Sequence, residues 1–223
     1  EQYDTYLYHA QAIRWIEEYG VVPGLGNLHS RLAYNNSIFS LQALFSFSFF
    51  LRGGRSLHGI NGFICLLFMT YAVCSLKVLR THRFHTSDFF RVALVYYIAS
   101  QKDMISSPYS DLFAQGMILY ILTKWITRLE GNKIDYKYYI DLCLMCVFAV
   151  SIKLSAAMIV LLALVPAARL IREKKWNEIG VYMIYGVIMI LPFLVRNVII
   201  SGYLIYPYPE LDLFHLDWKM PAY

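Results

Sequence analysis

From His58 to Val195 the chain alternates apolar runs with short polar segments, and lysine and arginine gather in every second one of those segments. That alternation restricts the fold more than any motif does. A helix needs about 20 apolar residues to cross roughly 30 Å of hydrocarbon at about 1.5 Å per residue, and cytoplasmic loops collect the basic residues. Six crossings are predicted, at His58 to Leu79, Phe89 to Ile105, Asp111 to Thr127, Tyr138 to Ile152, Ser155 to Ile171 and Ile179 to Val195. Only 16% of the residues are charged and mean hydropathy is +0.47, against about a quarter charged in a soluble domain. The sequence therefore describes an all-α integral membrane protein, a multi-pass helical bundle.

Orientation turns on one further apolar run, Ser37 to Leu51, whose 15 residues make about 22 Å of helix. If this run crossed, every later segment would change sides. If it lies in the outer interface, three short segments face the cytoplasm, and they carry Lys77, Arg80, Arg83, Arg91, Lys124, Arg128, Lys133, Lys137, Arg169, Arg172, Lys174 and Lys175. Those are 12 of the 20 basic residues, so the second arrangement is expected. Arg14, Arg31, Arg52, Arg55, Lys102, Lys153, Arg196 and Lys219 remain toward the outer face, with 9 of the 15 acids. The predicted organisation is an outer loop with interfacial helices over 1–57, a six-crossing bundle over 58–195, and the start of a second outer loop over 196–223. A further crossing upstream of Glu1, and continuation beyond Tyr223, are also expected.

Several function classes lose support. No basic helix alternates with stacking aromatics, so no nucleic-acid footprint is present. The four cysteines, Cys65, Cys74, Cys143 and Cys146, fall inside predicted crossings and imply no disulfide framework. Cys143-x-x-Cys146 has redox spacing, but it sits on an apolar helix with no strand before it. The glycines of Gly20 to Asn27 match no phosphate-binding loop.

Polar information concentrates at the outer face. Tyr6, Leu7, Ala10, Ile13 and Ile16 follow a 3-and-4 spacing that predicts an interfacial helix ending at Gly20. Asp4 stands at its start, either as an N-cap or as a carboxylate held at the membrane surface to act as a base. His9 follows five residues later, about 140° around an α-helix, so the two are not expected to form a dyad. Asn27, His29, Arg31, Asn35 and Asn36 are polar enough to line a cleft. Gln101 to Asp111 reads as a turn, with Asp111 opening the next helix where an acid suits the dipole; short flanking helices would draw a water-filled dent toward it. Lys153 interrupts an apolar run and is placed in an outer turn, where it snorkels or faces an anion. Arg196 and Asn197 are expected to end the last crossing at the outer interface, followed by an extended stretch through Tyr206 to Pro209.

Taken in order, YDTYLYH at 3–9, VVPGLGNLHSRL at 22–32, SSPYSD at 106–111, IKLS at 152–155 and RNVIISGYLIYP at 196–207 resemble the conserved module of the GT-C membrane glycosyltransferases, and more narrowly a bacterial group of multi-pass proteins within that superfamily. The resemblance implies a GT-C type bundle with an outer-face juxtamembrane helical loop. It implies a bacterial inner membrane with the active face outward, and a polyprenyl-phosphate-linked sugar donor with a glycan, lipid or protein acceptor. Asp4 would be base or metal ligand and Asp111 the second acid. His9, His29, Arg31, Lys153, Arg196 and Asn197 are the substrate-binding candidates, with Arg196 toward the lipid phosphate. A divalent cation, Mg or Mn, would be held by Asp4 and Asp111 if by anything; the single acid, followed by Thr5 and Tyr6 where relatives carry two acids, argues against it. A lipid-phosphate binder or transporter without turnover, or an O-antigen polymerase or ligase, would use the same residues.

Overall fold

The computed structural model describes residues 4–51, 56–131 and 139–221, and among these every regular element is helical. Arg52, Arg55, Lys133, Lys137 and Tyr138, the expected start of the fourth crossing, lie outside the described residues. The helices are α1 (Ala10–Tyr19), α2 (Ser37–Leu44), α3 (Ile60–Cys74), α4 (Val78–Thr81), α5 (Thr86–Ser100), α6 (Ser110–Glu130), α7 (Ile140–Ile152), α8 (Leu164–Arg172) and α9 (Trp176–Ser201). A π turn over Thr5–His9 leads into α1, and a 3-10 run over Leu154–Ala163 leads into α8.

Three helical stretches are long and apolar enough to cross a membrane, Ile60–Thr81, Leu154–Arg172 and Trp176–Ser201. Their apolar windows are only 17 to 22% buried inside the protein, and outward side chains such as Leu66, Met158, Met183 and Ile188 are exposed. Apolar surface on this scale is covered by lipid, not water. The other three expected crossings are shorter or more polar. Helices α5 and α7 have 15 and 13 residues, and α6, although 21 residues long, carries Asp111, Lys124, Arg128 and Glu130. For α6 and α7 the physical reason is position: Ile121, Leu142 and Cys146 are sealed in the core, so these two helices are largely covered by their neighbours, whereas α5 buries Leu94 and Ile98 but exposes Phe89, Val92 and Tyr96.

Two boundaries differ from the sequence reading. The helix expected over Ser37 to Leu51 stops at Leu44, where the Ser46 hydroxyl donates to the Ala43 carbonyl (2.8 Å) and Phe47 adopts a φ of 52°. Its eight residues rise about 12 Å, far less than the hydrocarbon thickness. Ile38, Phe39, Gln42 and Ala43 are buried, so α2 rests on the protein. The last helix, expected to end at Val195, continues to Ser201 because it still buries Asn197, Ile200 and Ser201. Gly202, at φ 85°, then closes it by donating to the Val198 carbonyl (2.9 Å).

At the end of the bundle formed by 75–91, 127–130 and 141, charged side chains interlock. Asp88 accepts from the backbone N–H groups of Lys77 (2.7 Å), Val78 (3.1 Å) and His85 (3.2 Å) and from Arg91 Nη1 (2.9 Å). Arg91 also donates to the hydroxyls of Ser75, Ser87 and Thr127. Glu130 receives Lys77 Nζ, the Ser87 N–H and the Ser87 hydroxyl at 2.7 to 2.8 Å, and Arg128 meets Asp141 (2.9 Å). The opposite end carries the 101–109 turn, Lys153 and the residues after α9. In a Cys74→Ser background, cysteine at exposed His29 or Asp103 should react in intact cells with an impermeant thiol reagent, and cysteine at Thr86 only after permeabilisation. External labelling at Thr86 with protection at Asp103 would invert the topology.

Candidate functional site

The site begins with the π turn. The Ala10 N–H donates to the Thr5 carbonyl, an i→i+5 bond that widens the helix by one residue per turn. Residues five apart, which an α-helix would separate by about 140°, then come closer together around the helix axis. Asp4 and His9 both line one cavity of about 340 Å³, but no hydrogen bond joins them: Asp4 pairs with Arg31, and His9 Nδ1 has no partner. Asp4 is not a cap, since its side chain makes no capping bond. Instead Oδ1 accepts from Arg31 Nη1 (3.2 Å), and the Arg31 guanidinium lies over the Tyr8 ring, 5.5 Å from its centroid. The other Asp4 oxygen accepts no hydrogen bond from a described residue.

Asp111 and Lys153 reach the same cavity from the other side. Asp111 occupies the first turn of α6. Lys153 stands where α7 stops, in an extended conformation (φ −150°, ψ 121°), and its ammonium pairs with Asp111 Oδ1. The Tyr109 hydroxyl donates to Asp111 Oδ2 (3.3 Å). The turn that carries Tyr109 is fixed by a buried polar chain. Gln42 Nε2 donates to Asn61 Oδ1 (2.9 Å), Asn61 Nδ2 donates to the carbonyls of Ser107 (2.7 Å) and Tyr109 (3.3 Å), and the Ser107 and Thr5 hydroxyls bond at 3.0 Å. This chain ties α2, α3, the turn and the π turn together. The sequence reading missed Gln42 and Asn61; the available signal was a lone amide in each of two otherwise apolar helices.

His9 is 3% exposed, held between the rings of Tyr8 and Phe39 at centroid distances of 4.3 and 5.1 Å. Its Nδ1 is buried without a partner. Burial pushes the imidazole pKa below its ordinary value, Lys153 and Arg31 act in the same direction, and Asp4 and Asp111 oppose them. The ring is therefore neutral near pH 7. Burial likewise raises the Tyr8 phenol, with Asp4 and Asp111 adding to the shift. Tyr34, Tyr206 and Tyr208 supply further aromatic wall; the 206–208 segment lies against the cavity where the sequence suggested an extended stretch along the surface.

Over residues 1–223 the sequence matches the family described as Domain of unknown function (DUF8201). The chain belongs to the DUF8201 family. No curated protein and no solved structure matches it.

The remaining candidates of this DUF8201 chain stand outside the cavity. His29 is exposed and uses Nδ1 to accept from the Arg31 N–H (3.2 Å), which starts the 3-10 turn Ser30–Ala33. Arg31 touches the site through Asp4 and Tyr8. Arg196 and Asn197 lie inside α9 and not at its end. Arg196 Nη1 donates to Asn35 Oδ1, and Asn35, itself in the cavity wall, donates to the Phe193 carbonyl (2.7 Å). Arg196 thus stands one amide away, facing a separate hollow of about 380 Å³ with Ser37 and Ser40. Asn197 is 1% exposed, and neither its Oδ1 nor its Nδ2 finds a partner. Among the described residues no group of three or more His, Cys, Asp or Glu could hold a metal, and in this DUF8201 site Asp4 and Asp111 are paired with Arg31 and Lys153.

Proposed function

We propose that the protein is a membrane glycosyltransferase that moves a sugar from a polyprenyl-phosphate donor to an acceptor hydroxyl at the outer face of a bacterial inner membrane. What supports this reading most is the convergence, in one aromatic-walled cavity at the end of an apolar bundle, of a carboxylate with one oxygen that accepts from no described residue, a neutral imidazole and an ammonium. The acceptor O–H gives its proton to Asp4 as the oxygen attacks the anomeric carbon. The bond from that carbon to the phosphate oxygen breaks, and its electron pair leaves with the polyprenyl phosphate. Lys153 stabilises the departing charge, and Arg196 supports it from behind Asn35. Arg31 and Asp111 position Asp4 and Lys153.

A binder without turnover would hold the same phosphate through Lys153, so transfer must be separated from binding. Membranes containing the full-length protein, supplied with a radiolabelled polyprenyl-phosphate sugar, should move label into a glycan, lipid or protein acceptor. Lys153→Ala membranes should bind the donor more weakly, because a charge-assisted contact is lost. Donor binding without transfer would leave the binder reading, and neither binding nor transfer would remove both.

A further inference from the structure

The half of the bundle remote from the candidate site contains a second built feature. Between α7, the stretch Leu154–Arg172 and α9 lies a cavity of about 450 Å³ with no formally charged residue in its wall. Val147, Ala163, Ala167, Leu170, Met183 and Gly186 are among its lining. Small residues facing each other from two helices hold the space open, and a Cβ added at Gly186 would meet nothing within 4 Å. From Ile179 to Ile190 the lining on α9 extends about 16 Å along the helix. Space with such walls, inside a bilayer, is filled by hydrocarbon and not by water.

Charge at the mouth of this groove distinguishes one kind of hydrocarbon from another. The turn joining α8 to α9 presents Arg169, Arg172, Lys174 and Lys175 against Glu173 and Glu178. Glu173 is occupied by Arg169 (3.0 Å) and Lys175 (2.9 Å), whereas Arg172 and Lys174 make no ion pair with a described residue. Lys174 and Lys175 line a shallow hollow with Trp176, Asn177 and Glu178, and Trp176 is 63% exposed, as suits an indole at the headgroup level. Leu170 and Ile179 place the apolar groove directly beside this turn.

We propose that the groove holds an acyl chain of one anionic phospholipid of the cytoplasmic leaflet, with the lipid phosphate at Arg172 and Lys174. A zwitterionic headgroup would bring its own ammonium against these two cations, so charge complementarity selects the anionic class. The site is independent of the sugar-transfer reading, because its lining shares no residue with the candidate site.

The test uses full-length protein in nanodiscs of phosphatidylcholine with a minor share of phosphatidylglycerol, with retained lipid counted by native mass spectrometry. Wild type should retain phosphatidylglycerol at least tenfold in excess of its share. The double variant Arg172→Gln/Lys174→Gln should lose about fivefold per charge removed. Gly186→Leu should fill the groove and abolish retention of either lipid, with unchanged unfolding in detergent. Should Gly186→Leu fail to fold, the charge variant alone decides. Retention in proportion to the nanodisc composition would overturn the proposal. So would retention indifferent to the charge variant, or a groove occupied by a second copy or another protein.

Discussion

Asp4→Asn should lower sugar transfer by about 100-fold or more, the scale of a lost general base, while membrane insertion and thermal stability stay near wild type. The amide keeps an oxygen for Arg31 Nη1, so the contact that orients residue 4 survives. What disappears is the capacity to take a proton. The geometry also separates this outcome from a capping role. Because the Asp4 side chain makes no capping bond, Asp4→Ala should lose activity to a similar extent with little further loss of stability, whereas a true cap would make Asn silent and Ala destabilising. An active Asp4→Asn protein would sink the assignment. The proton would then have to go to the neutral His9 ring, or to Asp111 after release from Lys153 and Tyr109.

The largest stability effect is expected far from that cavity. Arg91 and Asp88 are 2% and 0% exposed, so Arg91→Leu leaves a carboxylate buried without its cation, a change worth about 3 to 5 kcal/mol. Arg91→Lys should recover little, since one ammonium cannot reach Ser75, Ser87, Asp88 and Thr127 from the positions a guanidinium fork occupies. Arg128→Gln is the control. Its partner Asp141 is half exposed, and such pairs contribute less than about 1 kcal/mol. Denaturant unfolding in detergent measures all three, and a loss below about 1 kcal/mol for Arg91→Leu would show that the three backbone N–H groups on Asp88 suffice to hold it.

Much of the class was legible because lipid imposes it: apolar windows with little burial are visible in sequence wherever a helix faces hydrocarbon. Helices α6 and α7 were harder, because a helix shielded by protein can be short or carry charge without penalty. Within the site, Asp4, His9, Asp111 and Lys153 stood out as polar groups in apolar surroundings, and all four line one cavity. Arg196 and Asn197 were misplaced because nothing in RNVIIS ends a helix; the stop comes from Gly202. Gln42, Asn61 and Asn35 act through partners distant in the chain, and such pairings follow from the packing of helices, which local periodicity does not encode.

That Asp4 and His9 face one cavity depends on the number of residues in the turn between them. A π turn is an α turn with one residue too many, and here Thr5 and Tyr8 also hold it in place, through the Ser107 hydroxyl and against the His9 ring. A one-residue deletion anywhere in that stretch would restore α-helical phase and turn the carboxylate away from the imidazole. In this chain, the length of the segment joining Asp4 to His9 is thus a quantity on which the shape of the cavity wall depends.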